Sequence, residues 1–203
     1  MNDKKNKILI CIPHFGDKNR KYFLRCLEEY NRFKKYEVNC ILLLTDKSID
    51  VSVFPNIQFS VHFYDLGIKH NLALKHRELM AKEKGKFDYY LYMEDDILLT
   101  EEVFDFWITE QNSLPEGFAC GVLRYEQKIG SSYKYLLDTH PAHSVHRGGF
   151  SIFKNDLFLK EKRYLEPYNI HQGCYMLTSD MFKKVLESDR KSTRLNSSHV
   201  SES

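Results

Sequence analysis

Apolar runs that end in polar residues constrain the fold of this chain most strongly. Two of them, residues 7–13 (KILICIP) and 38–45 (VNCILLLT), are almost continuous, and a third, residues 57–64 (IQFSVHFY), alternates. Continuous runs of this length predict strands buried on both faces, and alternation predicts a half-buried strand. A fourth run, residues 87–93 (FDYYLYM), is rich in aromatic side chains. The first half of the chain therefore supplies four strands.

Two segments between these strands have the spacing of amphipathic helices. Residues 17–34 place apolar side chains mostly three or four positions apart, at Tyr22, Phe23, Cys26, Leu27, Tyr30 and Phe33. Residues 71–84 contain neither Gly nor Pro, and Gly85 follows at a position that suits a helix C-cap. The order strand, helix, strand, strand, helix, strand predicts an α/β fold with a mainly parallel sheet flanked by helices.

Shorter elements are expected in the second half of the chain. Thr100 is placed to cap a helix whose first turn is acidic, and Ser179 is placed to cap a last helix through Leu186. Between them, strand-like segments occur at residues 118–125, 133–137, 151–154 and 175–178.

Each of the four main strands ends beside polar or acidic residues. The residues at these ends are Pro13 and His14, then Asp46, then Asp65, and finally Glu94, Asp95 and Asp96. Open α/β sheets bind their ligands at the carboxyl ends of the strands. We therefore expect these residues to share one edge of the sheet and to form a site there.

The acidic triplet Glu94-Asp95-Asp96 suggests a cation site. Adjacent carboxylates oppose each other's ionisation, and a divalent cation relieves that conflict. Carboxylate oxygens are hard ligands that suit Mg²⁺ or Mn²⁺. Strand alternation would place Glu94 and Asp96 on one side and Asp95 on the other. The alternative is a solvated acidic turn ahead of the helix at Thr100.

The triplet and its strand, FDYYLYMEDDILLT, resemble the D-x-D-type motif of GT-A glycosyltransferases. Two further segments are similar to that group: the helix that carries Lys75-His76-Arg77, and HQGCYMLTSDMF downstream. The resemblance covers residues 7–186. It departs from the commoner motif in having Glu94 where an Asp is usual.

This resemblance implies a site for a nucleotide-sugar donor with Mn²⁺ or Mg²⁺. The implied metal ligands are Asp96 and Glu94. The implied donor-binding residues are Pro13, His14, Asp46, Asp65, His76, Arg77, Glu94 and Asp95. Among these, Pro13, His14 and Asp46 would line the base and ribose pocket, and His76 and Arg77, with Lys75, would supply positive charge near the phosphates. The acceptor would be a glycan or another hydroxyl compound, and its base would be Asp180 or His171.

Composition excludes some classes of protein and leaves others open. The 30 basic and 28 acidic residues nearly cancel, which argues against a dedicated nucleic-acid binder. The first apolar run is too short for a signal peptide or a membrane span, and the five cysteines are scattered. We therefore expect a cytoplasmic protein with reduced thiols and no transmembrane segment.

Three other functions remain open from the sequence. A nucleotidyltransferase that makes sugar nucleotides would share the fold but needs a Gly-rich basic loop after the first strand, where this chain has Pro-His-Phe-Gly-Asp. A metal-dependent phosphatase or nuclease would also use clustered carboxylates, and Asp46 and Asp65 are consistent with it. A non-enzymatic binding module would use the triplet only as a turn.

The C-terminal segment differs in character from the rest of the chain. Residues 189–199 read DRKSTRLNSSH, which resembles the in-frame translation of a standard short-read sequencing adapter. We therefore expect a GT-A-like domain over residues 1–188, truncated at its C-terminus, and an artefactual, unstructured tail at 189–203.

Overall fold

The computed structural model describes residues 5–69, 71–122, 124–128, 130–136, 153–159, 161–167 and 173–189. The helices are α1 (Arg20–Asn31), α2 (Asn71–Lys82), α3 (Glu101–Ser113) and α4 (Ser179–Asp189), with a 3-10 turn at Leu66–Ile68. The strands are β1 (Asn6–His14), β2 (Tyr36–Leu44), β3 (Ile57–Phe63), β4 (Tyr89–Met93), β5 (Tyr125–Glu126), β6 (Tyr135–Leu136), β7 (Phe153–Leu159), β8 (Lys162–Pro167) and β9 (Cys174–Thr178). The tail beyond residue 189 lies outside the described residues.

Contacts divide the chain into two compact units. One comprises Met1–Glu102 with Gly173–Ser203, and the other comprises Val103–Gln172. The sequence predicts one domain over residues 1–188, because no interdomain linker is evident within it. None of the described helices combines the length and apolar character that crossing a bilayer requires.

A five-stranded sheet forms the centre of the first unit, in the order β3-β2-β1-β4-β9. The first four strands are parallel to one another, and β9 runs antiparallel to β4. The predicted α/β fold with a mainly parallel sheet and flanking helices is therefore confirmed. Most residues of β1 and β2 are buried, as their near-continuous apolar runs predict.

Helices cover the sheet through residues at helical spacing. Helix α1 buries Phe23, Cys26, Leu27 and Tyr30, and α2 buries Leu72, His76 and Met80. Helix α4 stacks Phe182 on Tyr90, with the ring centroids 4.1 Å apart. Each fully buried apolar side chain of this size contributes about 1.5–3 kcal/mol. This burial holds the parallel strands, and hence their carboxyl ends, in a fixed arrangement.

The second unit joins α3 to the hairpin of β7 and β8. Glu110 on α3 is buried and accepts hydrogen bonds from Lys162 Nζ at 2.6 Å and Tyr164 Oη at 2.7 Å. These two donors hold the pKa of Glu110 below its usual range. The sequence did not indicate β8, whose apolar and charged residues follow no clear period.

Candidate functional site

The carboxyl ends of β1, β2, β3 and β4 meet at one edge of the sheet. Parallel pairing joins β1 to β2, β2 to β3, and β1 to β4. His14 ends β1, Asp46 follows β2, Asp65 follows β3, and the acidic triplet follows β4. The prediction that four strand ends bring polar groups to one edge is therefore confirmed.

The acidic triplet forms a turn and not a continuation of the strand. Strand β4 ends at Met93, and Ile97 N donates a hydrogen bond to Glu94 O at 3.2 Å, which places Asp95 and Asp96 at the centre of the turn. Strand alternation, the expected basis for separating Asp95 from Glu94 and Asp96, therefore does not apply, but their exposure differs. The Asp95 side chain is only 13% exposed, whereas Glu94 and Asp96 are exposed.

Both carboxylate oxygens of Asp95 are engaged inside the protein. Oδ2 lies 2.6 Å from His14 Nδ1, and Oδ1 accepts a hydrogen bond from Asn19 Nδ2 at 3.1 Å. An ionised carboxylate only accepts hydrogen bonds, so the proton in the first bond lies on Nδ1. Asp95 is therefore directed into the fold and not toward a ligand.

His14 lies in the protein core. It is 0% exposed, and its ring stacks on Phe23 of α1, with centroids 4.5 Å apart and planes 8° from parallel. The resemblance implied that His14 lines the base and ribose pocket. A side chain without exposed surface does not line an open pocket, and His14 instead contacts Asp95.

Helix α1 also holds the backbone of the turn through Cys26. Its Sγ lies 3.3 Å from Ile97 O and 3.8 Å from Asp95 O. Burial, followed by the nearby Asp95 and Asp96 carboxylates, raises the pKa of the Cys26 thiol to about 12. The thiol is therefore protonated at neutral pH and donates to the turn carbonyls.

Glu94 packs against Gly173 at the start of β9. Glu94 N donates a hydrogen bond to Gly173 O at 2.8 Å, and a Cβ at position 173 would lie 2.1 Å from Glu94 Oε2. Only glycine leaves room for the Glu94 carboxylate in this position. The Gly in HQGCYMLTSDMF was a visible signal, but its partner could not be identified from the sequence.

The loop after β2 presents Asp46 beside the same edge. Asp46 Oδ1 accepts a hydrogen bond from Ser48 N at 2.8 Å, and Oδ2 lies 3.2 Å from Arg20 Nη1. Hydrogen bonds from the backbone N–H of Ser48, and secondly from its hydroxyl, lower the pKa of Asp46. The nearby Arg20 and His14 lower this pKa further by smaller amounts. Gly16, with a φ of 65°, donates to Thr45 Oγ1 at 2.8 Å and ties the loops after β1 and β2 together.

Pro13 and Asp65 occupy less central positions at this edge. Pro13 is half-buried within β1. Asp65 is exposed but follows β3, which lies three strands from β4. At about 4.8 Å per strand this separation is roughly 14 Å, so Asp65 is peripheral to the acidic turn.

His76 does not supply the positive charge that the resemblance implied. It is 7% exposed, its ring lies 4.2 Å from that of Tyr92, and its Nδ1 contacts Ala73 O. Burial lowers the pKa of His76 to about 4, so its ring is neutral at pH 7. Its neighbours Lys75 and Arg77 are exposed.

Asp180 lies at the opposite edge of the sheet. Because β9 is antiparallel to β4, Cys174 pairs with Met93 and Thr178 pairs with Tyr89. The two ends of β4 are about 13 Å apart at 3.3 Å per residue. Asp180 follows Thr178 and occupies the first turn of α4, so the structure corrects its assignment as a base beside the triplet. The other candidate, His171, lies outside the described residues.

The metal site expected from the sequence would depend on the exposed carboxylates of the acidic turn. Within the described ranges, no three His, Cys, Asp or Glu side chains are grouped to hold a metal ion. Mg²⁺-type ions commonly use one or two carboxylates and take their remaining ligands from water and phosphates. Since Asp95 is engaged by His14 and Asn19, the exposed Glu94 and Asp96 are the donors that fit such a site.

Comparison with known proteins gives distant structural similarity only. No family model matches the chain, and no curated protein matches it. A crystal structure of S. aureus TarS is 14% identical over 53% of this chain and 33% of its own, with a TM-score of 0.35. A TarS complex with UDP-GlcNAc is 17% identical, covering 53% and 32%, with a TM-score of 0.34.

The chain thus spans about a third of the first structures that it matches. A 4-diphosphocytidyl-2C-methyl-D-erythritol synthase from Anaerococcus prevotii is 13% identical over 93% of this chain and 79% of its own, with a TM-score of 0.43. Similarities of this extent carry no information about function.

Proposed function

We propose that this chain is a metal-dependent glycosyltransferase that moves a sugar from a nucleoside-diphosphate donor to an acceptor hydroxyl. One observation carries the proposal: Asp95 is bound inside the fold while Glu94 and Asp96, on the same turn, stay exposed at the carboxyl edge of the sheet. Such an edge is where open α/β sheets bind nucleotides.

Glu94 and Asp96 would hold Mn²⁺ or Mg²⁺ together with the donor diphosphate. When bound, such a cation would supply positive charge near the departing diphosphate. The hydrogen bonds that Asp95 receives direct its carboxylate into the fold, and the exposed Glu94 and Asp96 would be the metal ligands of the turn. This division suits a cation that needs open positions for phosphate oxygens.

Asp46 is the residue that we assign to the nucleoside. It is partly exposed, and its lowered pKa keeps it ionised at neutral pH. An ionised carboxylate accepts hydrogen bonds and therefore suits the hydroxyls of a ribose. Arg20 and Ser48 fix its orientation, so a nucleoside between Asp46 and the acidic turn would meet preformed partners.

An inverting transfer also needs a base for the acceptor hydroxyl. The resemblance to GT-A glycosyltransferases implies His171 for this role, and that assignment stays a proposal because His171 lies outside the described residues. The acceptor itself is proposed only by class, as a glycan or another hydroxyl compound.

The test is calorimetric binding of UDP, GDP, CDP and dTDP with and without Mn²⁺. Asp96→Ala should weaken the metal-dependent affinity roughly tenfold or more, since a charge-assisted contact contributes about 1.5–3 kcal/mol. Glu78→Ala is the control, because it removes an exposed carboxylate from α2 that pairs only with Lys82 among the described contacts. Equal affinity in Asp96→Ala and the native chain would rule out Asp96 as a ligand.

A donor screen separates the competing activities. A glycosyltransferase releases nucleoside diphosphate from a sugar nucleotide only when an acceptor is present, or slowly to water. A nucleotidyltransferase would instead form pyrophosphate from a nucleoside triphosphate and a sugar phosphate. A phosphatase or nuclease would release phosphate or nucleotides without any acceptor, and a binding module would turn over none of these substrates.

A further inference from the structure

The acidic turn is held from three neighbouring parts of the first unit. His14 at the end of β1 and Asn19 before α1 bind the Asp95 carboxylate. Cys26 within α1 binds the carbonyls of Asp95 and Ile97. Asn19 is at the N-cap of α1, where an Asn side chain usually bonds a helix N–H, yet it makes no such bond here. Its amide is used on Asp95 instead.

Among the described residues, the His14 ring makes one hydrogen-bonding contact and stacks on one other ring. Phe23 stacks against one face of the ring, and Nδ1 lies 2.6 Å from Asp95 Oδ2. Nε2 is buried and has no hydrogen-bond partner among the described residues. A buried polar atom without a partner lowers stability, so an apolar ring at this position would pack with less cost. The feature that an apolar ring lacks is the Nδ1–H donor to Asp95.

We infer that His14 is a positioning residue: clamped by Phe23, it fixes Asp95 and thereby holds the turn that presents Glu94 and Asp96. The identity of the bound cation rests on the proposed function, but the effect on the turn does not. Groups that act behind metal ligands in this way typically change affinity by about 10-fold to 100-fold.

Two substitutions at His14 separate the contribution of the Nδ1–H donor from that of ring packing. His14→Phe keeps a stacked ring of similar size and removes the donor. His14→Asn removes the stacking, but its Nδ2 lies near the position of the imidazole Nδ1 and can still donate to Asp95. His62→Asn is the control, because His62 on β3 contacts only the Ser60 hydroxyl among the described hydrogen bonds. If His14→Phe does not fold, Asn19→Ala removes the other donor to Asp95.

The first measurement is hydrogen exchange of the Ile97 amide, which closes the turn on Glu94 O. Metal-free protein is used, with amides of β1 and β2 as the reference. In His14→Phe we expect exchange at Ile97 to rise about tenfold relative to the reference, and in His14→Asn to return toward the native rate. The second measurement is the affinity for Mn²⁺ alone, determined from the paramagnetic resonance signal of the free ion. We expect this affinity to fall in His14→Phe and to recover in His14→Asn, in parallel with the exchange rates.

Each outcome decides between positioning and simple packing. An unchanged relative exchange rate at Ile97 in His14→Phe, or in Asn19→Ala if the first variant is unfolded, overturns the inference. The inference is also overturned if His14→Phe speeds hydrogen exchange equally at all amides and His14→Asn does not restore the native rates, because His14 would then only fill the core. If the native chain binds no Mn²⁺, the proposed function fails, and the exchange rates alone decide the role of His14.

Discussion

Gly173 lies so close to Glu94 that a Cβ on it would fall 2.1 Å from Oε2 and 2.3 Å from the carboxyl carbon. Real Cβ atoms do not approach other atoms this closely, so any larger residue must displace the Glu94 side chain. The contact joins the first residue of the acidic turn to the residue before β9, two segments that are distant in the sequence. It makes the position of one proposed metal ligand depend on a glycine.

The first prediction is that Gly173→Ala moves Glu94 without unfolding the protein. The atoms in the way belong to the end of a flexible side chain, so we expect the free energy of unfolding to change by about 1 kcal/mol or less. Mn²⁺ affinity should fall roughly tenfold. Gly67→Ala is the control, since a Cβ there meets nothing within 4 Å. Native Mn²⁺ affinity in Gly173→Ala would mean that Glu94 does not ligate the ion.

The sequence could predict the parallel strands, because their signal is local. The apolar run at residues 7–13 became β1 (Asn6–His14), and the run at 38–45 became β2 (Tyr36–Leu44). Both strands are buried on two faces, so nearly every residue in them is apolar and the run is easy to recognise. The polar residues at the ends of these strands were visible in the same way, and they predicted which edge of the sheet carries the candidate site.

The direction of β9 and the burial of His14 could not be predicted in this way. A short apolar segment before a capped helix has the same sequence pattern in either strand direction, and only the pairing of Cys174 with Met93 shows that Asp180 lies at the far edge. His14 follows a strand, where exposed polar residues are common. Its burial depends on Phe23 and Asp95, which belong to other elements.

The second prediction concerns the thiols. Burial raises the pKa of Cys11 and Cys40 well above the ordinary thiol value, whereas Cys120 is only partly buried. Thiolates are the reactive form, so the folded chain should react with a disulfide reagent at pH 8 chiefly through Cys120. Cys120→Ser should remove the fast phase. A second fast thiol in that variant would contradict the burial of the others.

The same thiols predict a loss of stability at high pH. Because their pKa values are higher in the folded chain than the unfolded value of 9.0, the folded state retains protons that the unfolded state releases. Their contribution is complete below pH 9 and declines as the pH rises above it. The denaturation midpoint should therefore fall between pH 9 and 11, and Cys40→Ala should show a smaller decline.

The third prediction concerns the attachment of α4 to the sheet. Phe182 is 4% exposed and stacks on the fully buried Tyr90 with planes 16° from parallel. Phe182→Ala should lower the free energy of unfolding by about 3–5 kcal/mol through lost burial and a cavity. Lys183→Ala, one residue further along, removes an exposed side chain and should have little effect. Similar denaturation curves for the two variants would show that α4 does not pack on β4.

The last prediction concerns the protonation of the buried His76 and its effect on stability at low pH. Burial lowers the pKa of His76 to about 4, from 6.5 in an unfolded chain. Since the unfolded state binds the proton more readily, stability is complete above pH 6.5 and declines as the pH falls toward 4. At about 1.4 kcal/mol per pH unit, the loss approaches roughly 3 kcal/mol.

Nuclear magnetic resonance of the His76 ring should accordingly show no titration between pH 8 and 5.5. His76→Gln should reduce the acid destabilisation, and Lys75→Ala, which removes an exposed charge of the same helix that does not shift the pKa of His76, should leave it unchanged. If His76 instead titrates near pH 6.5, its ring is accessible and the positive charge first expected of it becomes available near the phosphates.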